Sequence, residues 1–136
     1  MRSVDGGAIG GEAPAGRTVF IVDDDEPVRD SLKLLLESYD LTVRDFGSCP
    51  EFLGSLTGDE RGCLLLDLHL PVMSGLELLE GHPGAFPRLP VILISGRSDA
   101  MTRARALGAG AIAVLEKPFD DTALMTEIER ALGDSL

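Results

Sequence analysis

Cationic residues are scarce in this chain. Twelve lysines and arginines stand against 23 aspartates and glutamates in 136 residues, a formal net charge of -11. Binding phosphate backbones takes a clustered Lys/Arg excess, so a dedicated nucleic-acid surface is excluded, whereas a cation site is not. Long apolar runs are missing too. None approaches the ~18 residues that cross a bilayer, so a membrane-spanning helix is excluded. Residues 1–16, "MRSVDGGAIGGEAPAG", lack the apolar stretch of a signal peptide and any periodicity. They are expected to form a flexible tail ahead of one domain over 17–136. The only cysteines, Cys49 and Cys63, have no metal-ligand spacing with each other or with His69 and His82, which excludes a zinc site. Without secretory features the chain is expected in the reducing cytoplasm, with both thiols free and structural. No internal repeat, low-complexity block or linker follows the tail.

What is present is a set of five short apolar runs: "TVFIV" (18–22), "LTVRDF" (41–46), "CLLL" (63–66), "PVILI" (90–94) and "AIAVL" (111–115). Four are near-continuous in apolar character, as strands buried on both faces of a parallel sheet are. The charged second run suits an edge. Helical patterns fill the gaps. Val28, Leu32, Leu35 and Tyr39 recur at helical spacing behind Pro27, with Asp25 or Glu26 as cap. Cys49, Phe52, Leu53 and Leu56 share a face, and Ser74 can cap a short helix "SGLELLEG". Met101, Ala104 and Leu107 lie on one side of a fourth helix ended by Gly108 or Gly110. Leu124, Ile128, Ala131 and Leu132 point inward from the last. A β-α unit repeated five times predicts a parallel sheet with helices on both faces.

In such sheets ligands bind beyond the carboxyl ends of the strands. Strand 1 runs into Asp23, Asp24 and Asp25, and strand 3 into Asp67. Strand 4 runs into Ser95 and Gly96, and strand 5 into Glu116, Lys117 and Pro118. Carboxylates brought close together repel, and a divalent cation resolves the conflict. Oxygen ligands alone suit Mg²⁺ better than zinc. A lysine and a hydroxyl beside them suggest an absent anion, with phosphate the obvious one. Each feature has a plainer reading alone: acids at a helix start, a capping serine, a solvated lysine. Four polar sites at the ends of four apolar runs outweigh those readings together.

"VFIVDDDEPVRDSLKLLL", "LLLDLHLPVMSGLELL", "VILISG" and "VLEKPF", in that order, resemble the receiver domain of two-component response regulators. The likeness covers residues 17–134 and looks closest to the receivers of the FixJ group, which precede a LuxR-type DNA-binding domain. It implies a flavodoxin-like sheet of order 2-1-3-4-5. It also implies Mg²⁺-dependent phosphoryl transfer to Asp67 from a histidine kinase or phosphotransfer protein. Asp24 would ligate the metal directly, with Asp23 beside it and the His69 backbone carbonyl completing the protein share. Ser95 and Lys117 would contact the phosphoryl oxygens, and Lys117–Pro118 would be cis. Such a chain is a signalling phosphoacceptor that assists its own phosphorylation and dephosphorylation, rather than an enzyme. Its output would run through the face of helix 4, strand 5 and helix 5, where Arg103, Arg105 and Glu127 are candidate homodimer contacts or simply solvated.

One position departs from the family pattern. Receivers of this type commonly carry an aromatic residue three positions before the lysine, whose ring moves inward as the Ser/Thr hydroxyl closes on the phosphoryl group. Here it is Val114, which cannot make that motion. A constitutive, phosphorylation-independent interaction module is therefore the alternative. A haloacid-dehalogenase-type phosphohydrolase would need a second Asp where His69 stands. A flavodoxin would need a Ser/Thr/Gly-rich loop where "DDDEP" stands. His69 and Arg97 flank the acceptor, and are either solvated or gate water's approach to the acyl phosphate. The ending at Leu136 favours a free-standing receiver over a truncated regulator.

Overall fold

A computed structural model describes residues 17–133. The expected tail over 1–16 and the closing residues 134–136 lie outside them. Ten elements alternate. They are β1 (Thr18–Val22), α1 (Glu26–Glu37), β2 (Thr42–Phe46), α2 (Cys49–Ser55), β3 (Cys63–Asp67), α3 (Gly75–Gly81), β4 (Val91–Ser95), α4 (Ala100–Gly108), β5 (Ala111–Glu116) and α5 (Asp121–Leu132). The strands form one sheet in the order β2-β1-β3-β4-β5, and every pairing is parallel. This is the flavodoxin-like arrangement that the resemblance implies.

Strand alternation sends side chains to two cores. Phe20, Val22, Leu64, Leu66 and Leu93 meet Cys49 and Phe52 of α2, Leu76, Leu78 and Leu79 of α3 and Ala106 of α4. Val19, Ile21, Leu65, Ile92 and Ile94 meet Leu32 and Leu36 of α1 and Leu124, Met125, Ile128 and Leu132 of α5. Three helices therefore cover one face and two the other. The helix starts follow the chemistry of their caps. Asp25 accepts from the Val28 N–H and Ser74 from the Glu77 N–H, with Glu77 reaching back in a reciprocal capping box.

Two expectations need correction, and a third element gains a direction. β5 is only partly buried: Ala111 and Val114 join one core and Ala113 and Leu115 pack at the margin of the other, while Ile112, skipped where the β4–β5 register shifts, is exposed. In α1, Leu36 is fully buried while Tyr39 lies past the helix end, half exposed. In α4 the side that carries Met101, Ala104 and Leu107 is the outer one. Met101 is 77% and Leu107 49% exposed, and Ala106 alone is buried. The side of α4 that faces β5 carries Ala106 and Arg103, and Arg103 donates to the Val114 carbonyl and pairs with Glu116 on β5. A small side chain then fits where the helix sits close to Ala111 and Val114.

Candidate functional site

The chain turns opposite ways from β1 and β3, which lie side by side in the sheet, so a crevice opens beyond their carboxyl ends. Asp67 is the last residue of β3, one position further into the strand than its apolar run suggests, and pairs in register with Ile94. Asp23 and Asp24 follow β1 directly. Carboxylate oxygens of Asp23, Asp24 and Asp67 all lie within 4.8 Å of one another. Asp23 and Asp67 are buried, and Asp24 is exposed.

Each buried carboxylate is held by backbone. The Asp25 N–H donates to Asp23 Oδ1 at 2.9 Å, and the His69 N–H donates to Asp67 Oδ1 at 2.9 Å. The Asp67 backbone has a close neighbour: a β-carbon on Gly75 would lie 2.5 Å from the Asp67 carbonyl oxygen. Only glycine lets α3 begin this near the end of β3. On the other side Lys117 Nζ stands 4.0 Å from Asp67 Oδ2, near enough to offset charge and too far for a hydrogen bond. The Lys117 N–H is fixed on the Ser95 carbonyl at 2.8 Å, and the Lys117–Pro118 peptide is cis, as the resemblance implies.

Burial is the largest influence on Asp23 and pushes its carboxyl above the usual range. The Asp25 N–H and Lys117 pull it down, while the Asp67 and Asp24 charges push it up. The net direction is upward, led by burial, with the neighbouring carboxylates adding to it. Three hard oxygen donors with one upward-shifted carboxyl fit a divalent cation such as Mg²⁺.

Ser95 ends β4 and is fully buried. Its hydroxyl is turned to its own loop: Oγ donates to the Arg97 carbonyl at 2.8 Å and accepts from the Arg97 N–H at 3.1 Å. The exposed His69 ring reaches across, with Nε2 3.3 Å from the same Arg97 carbonyl. His69 and Arg97, read from sequence as separate positions, thus meet. Val114 is buried against the helix side of β5, not on the acidic rim. The candidate dimer contacts all have partners within the chain: Arg103 on Val114 and Glu116, Arg105 on Glu80 at 2.7 Å, Glu127 on Arg130 at 2.8 Å.

Sequence reasoning assigned nothing to β2. Yet Arg29 of α1 donates to the Asp23 carbonyl at 2.6 Å and to Asp45 of β2 at 3.1 Å, and the Phe46 carbonyl accepts from the Asp23 N–H. The edge strand therefore holds the first acidic residue from behind. An arginine one turn after an acidic loop was the only available signal.

The family model for the response regulator receiver domain matches residues 19–129. The chain belongs to that family. Curated relatives include the transcriptional regulatory protein FixJ of Azorhizobium caulinodans, 38% identical over 90% of this chain and 58% of that protein. FixJ of Rhizobium meliloti is 41% identical over 84% of this chain and 56% of its own length. Among solved structures, the FixJ amino-terminal domain superposes with a TM-score of 0.77 at 40% identity, covering 85% of this chain and 93% of that one. The receiver thus spans about half the length of the curated relatives it matches. No helix among the described residues is long and apolar enough to cross a membrane.

Proposed function

We propose that this receiver accepts a phosphoryl group on Asp67 and uses the change to control an output. The convergence of Asp23, Asp24 and Asp67 within 4.8 Å, with Lys117 4.0 Å from Asp67, carries the reading. An Asp67 carboxylate oxygen attacks the phosphorus of a phosphohistidine on a kinase or phosphotransfer protein. The P–N bond breaks, its electron pair stays on the imidazole, and an acyl phosphate forms. Phosphoryl transfer asks a protein mainly for alignment and charge.

Asp23, Asp24 and Asp67, with the His69 carbonyl, would hold Mg²⁺, which when bound neutralises charge on the phosphoryl oxygens. The His69 N–H orients one oxygen of Asp67 and leaves the other free to attack. Lys117 stands where a phosphoryl oxygen would gain its ammonium as partner. The Ser95 hydroxyl supplies a further donor once it leaves the Arg97 carbonyl. That movement, passed through the loop after β4 to the face of α4, β5 and α5, is the switch. Because Val114 carries no ring, the loop backbone rather than a rotating aromatic transmits it. The FixJ relatives are transcriptional regulators, so an output in gene control, through a further domain, a partner or a homodimer, fits this reading.

A second reading, a constitutive docking module, draws on Val114 alone. Intact-mass measurement after incubation with a small acyl phosphate and Mg²⁺ separates the two. One added phosphoryl group on the wild type and none on Asp67→Asn supports the acceptor; no adduct with any donor favours the module.

A further inference from the structure

We infer that the His69 imidazole is a positioning residue for the Ser95 switch, acting through a carbonyl that the two share; the inference rests on the phosphoacceptor reading above. The Arg97 carbonyl takes two donors, Ser95 Oγ at 2.8 Å and His69 Nε2 at 3.3 Å. A carbonyl oxygen only accepts, so the ring nitrogen facing it carries its hydrogen. With two lone pairs, the oxygen is saturated by these two donors.

Ser95 cannot donate to Arg97 and to a phosphoryl oxygen on Asp67 with its single hydroxyl hydrogen. Closing on the phosphoryl group therefore means abandoning the Arg97 carbonyl. His69 keeps that carbonyl bonded when Ser95 leaves, so the serine departs from an acceptor that still has a partner. In the resting state the two donors also share one oxygen, which weakens the serine's hold. Both effects favour the closed position of Ser95. The arrangement has a structural basis: the His69 backbone is tied to Asp67 through its N–H, while its ring spans to the loop after β4. One residue therefore connects the acceptor to the switch loop.

The test is a double-mutant cycle read by calorimetric titration of beryllofluoride with excess Mg²⁺, the probe standing in for the phosphoryl group. His69→Leu should weaken its apparent affinity about threefold, the lower part of the range for one hydrogen bond. His69→Gln, whose amide keeps a donor, should recover most of that loss. In a Ser95→Ala background, where no hydroxyl has to change partner, His69→Leu should have no effect. Position 69 is exposed, and thermal melts verify that each variant is folded, with His69→Ala replacing His69→Leu if that protein is not. An equal loss in both backgrounds, or no loss in either, overturns the inference while leaving Asp67 as acceptor. Failure of the wild type to bind the probe overturns the phosphoacceptor reading and this inference with it.

Discussion

Replacing Asp23 by Asn should stabilise the metal-free domain and sharply reduce its response to Mg²⁺. Asp23 and Asp67 are both buried, with oxygens no more than 4.8 Å apart. At that separation two unit charges repel by about 1–3 kcal/mol for effective dielectric constants between about 80 and 20. Asparagine removes the repulsion and keeps an oxygen for the Asp25 N–H. For a domain of this size about 1 kcal/mol moves Tm by roughly 3–5 °C. Without metal, Asp23→Asn should therefore melt at least about 3 °C above the wild type. Mg²⁺ at a hundred times its Kd should raise the wild type by about 2.7 kcal/mol and the variant by much less, reversing the order. The chain has no tryptophan, so calorimetry or circular dichroism follows the transition. The pH dependence has a definite sign. The folded carboxyl of Asp23 lies above its ordinary value of 3.8. Its destabilising effect is thus complete above the folded pKa, shrinks as pH falls through it, and is gone below 3.8. The advantage of the variant should fade along the same path. A wild type more stable than Asp23→Asn without metal, or an equal Mg²⁺ response in both, would refute the reasoning.

Other outcomes follow from single features. Gly75→Ala should cost about 1–3 kcal/mol in denaturant unfolding and slow phosphorylation, because the new methyl meets the Asp67 carbonyl at 2.5 Å. Val72, 92% exposed, has φ +70 in a turn closed by the Met73 N–H on the Pro71 carbonyl. Left-handed backbone costs a non-glycine residue about 1–2 kcal/mol, and glycine's added unfolded-state entropy returns about half of that. Val72→Gly should therefore stabilise by about 0.5–1 kcal/mol in the same assay. Burial pushes the Cys49 thiol up to about 11 and the Cys63 thiol up to about 12. Both should resist alkylation at neutral pH until the protein is denatured, which a thiol-counting assay measures.

The sheet was readable because buried parallel strands carry near-unbroken apolar runs. "CLLL" and "VILI" could be placed within a residue, and Asp67 and Ser95 at their ends followed. The charged "LTVRDF" announced its edge. "AIAVL" did not, since being the second edge is a property of strand order and not of composition. Which side of α4 faces the sheet was illegible for a related reason. Met101 and Leu107 are the larger apolar residues, but it is Ala106 that meets Ala111 and Val114 in the core, with Arg103 beside it on the Val114 carbonyl. Such long-range contacts leave no periodic trace. Arg29 behind Asp23 and the carbonyl shared by Ser95 and His69 were illegible on the same grounds. Each depends on where two loops meet.

The central claim is that Asp67 carries the phosphoryl group. Borohydride reduces an aspartyl phosphate to homoserine, which marks the modified residue in a peptide digest. After treatment with a phosphodonor and Mg²⁺, homoserine at position 67 and at no other aspartate is the predicted result. Homoserine at Asp23 or Asp24, or none in a protein whose mass has risen by one phosphoryl group, would contradict the account.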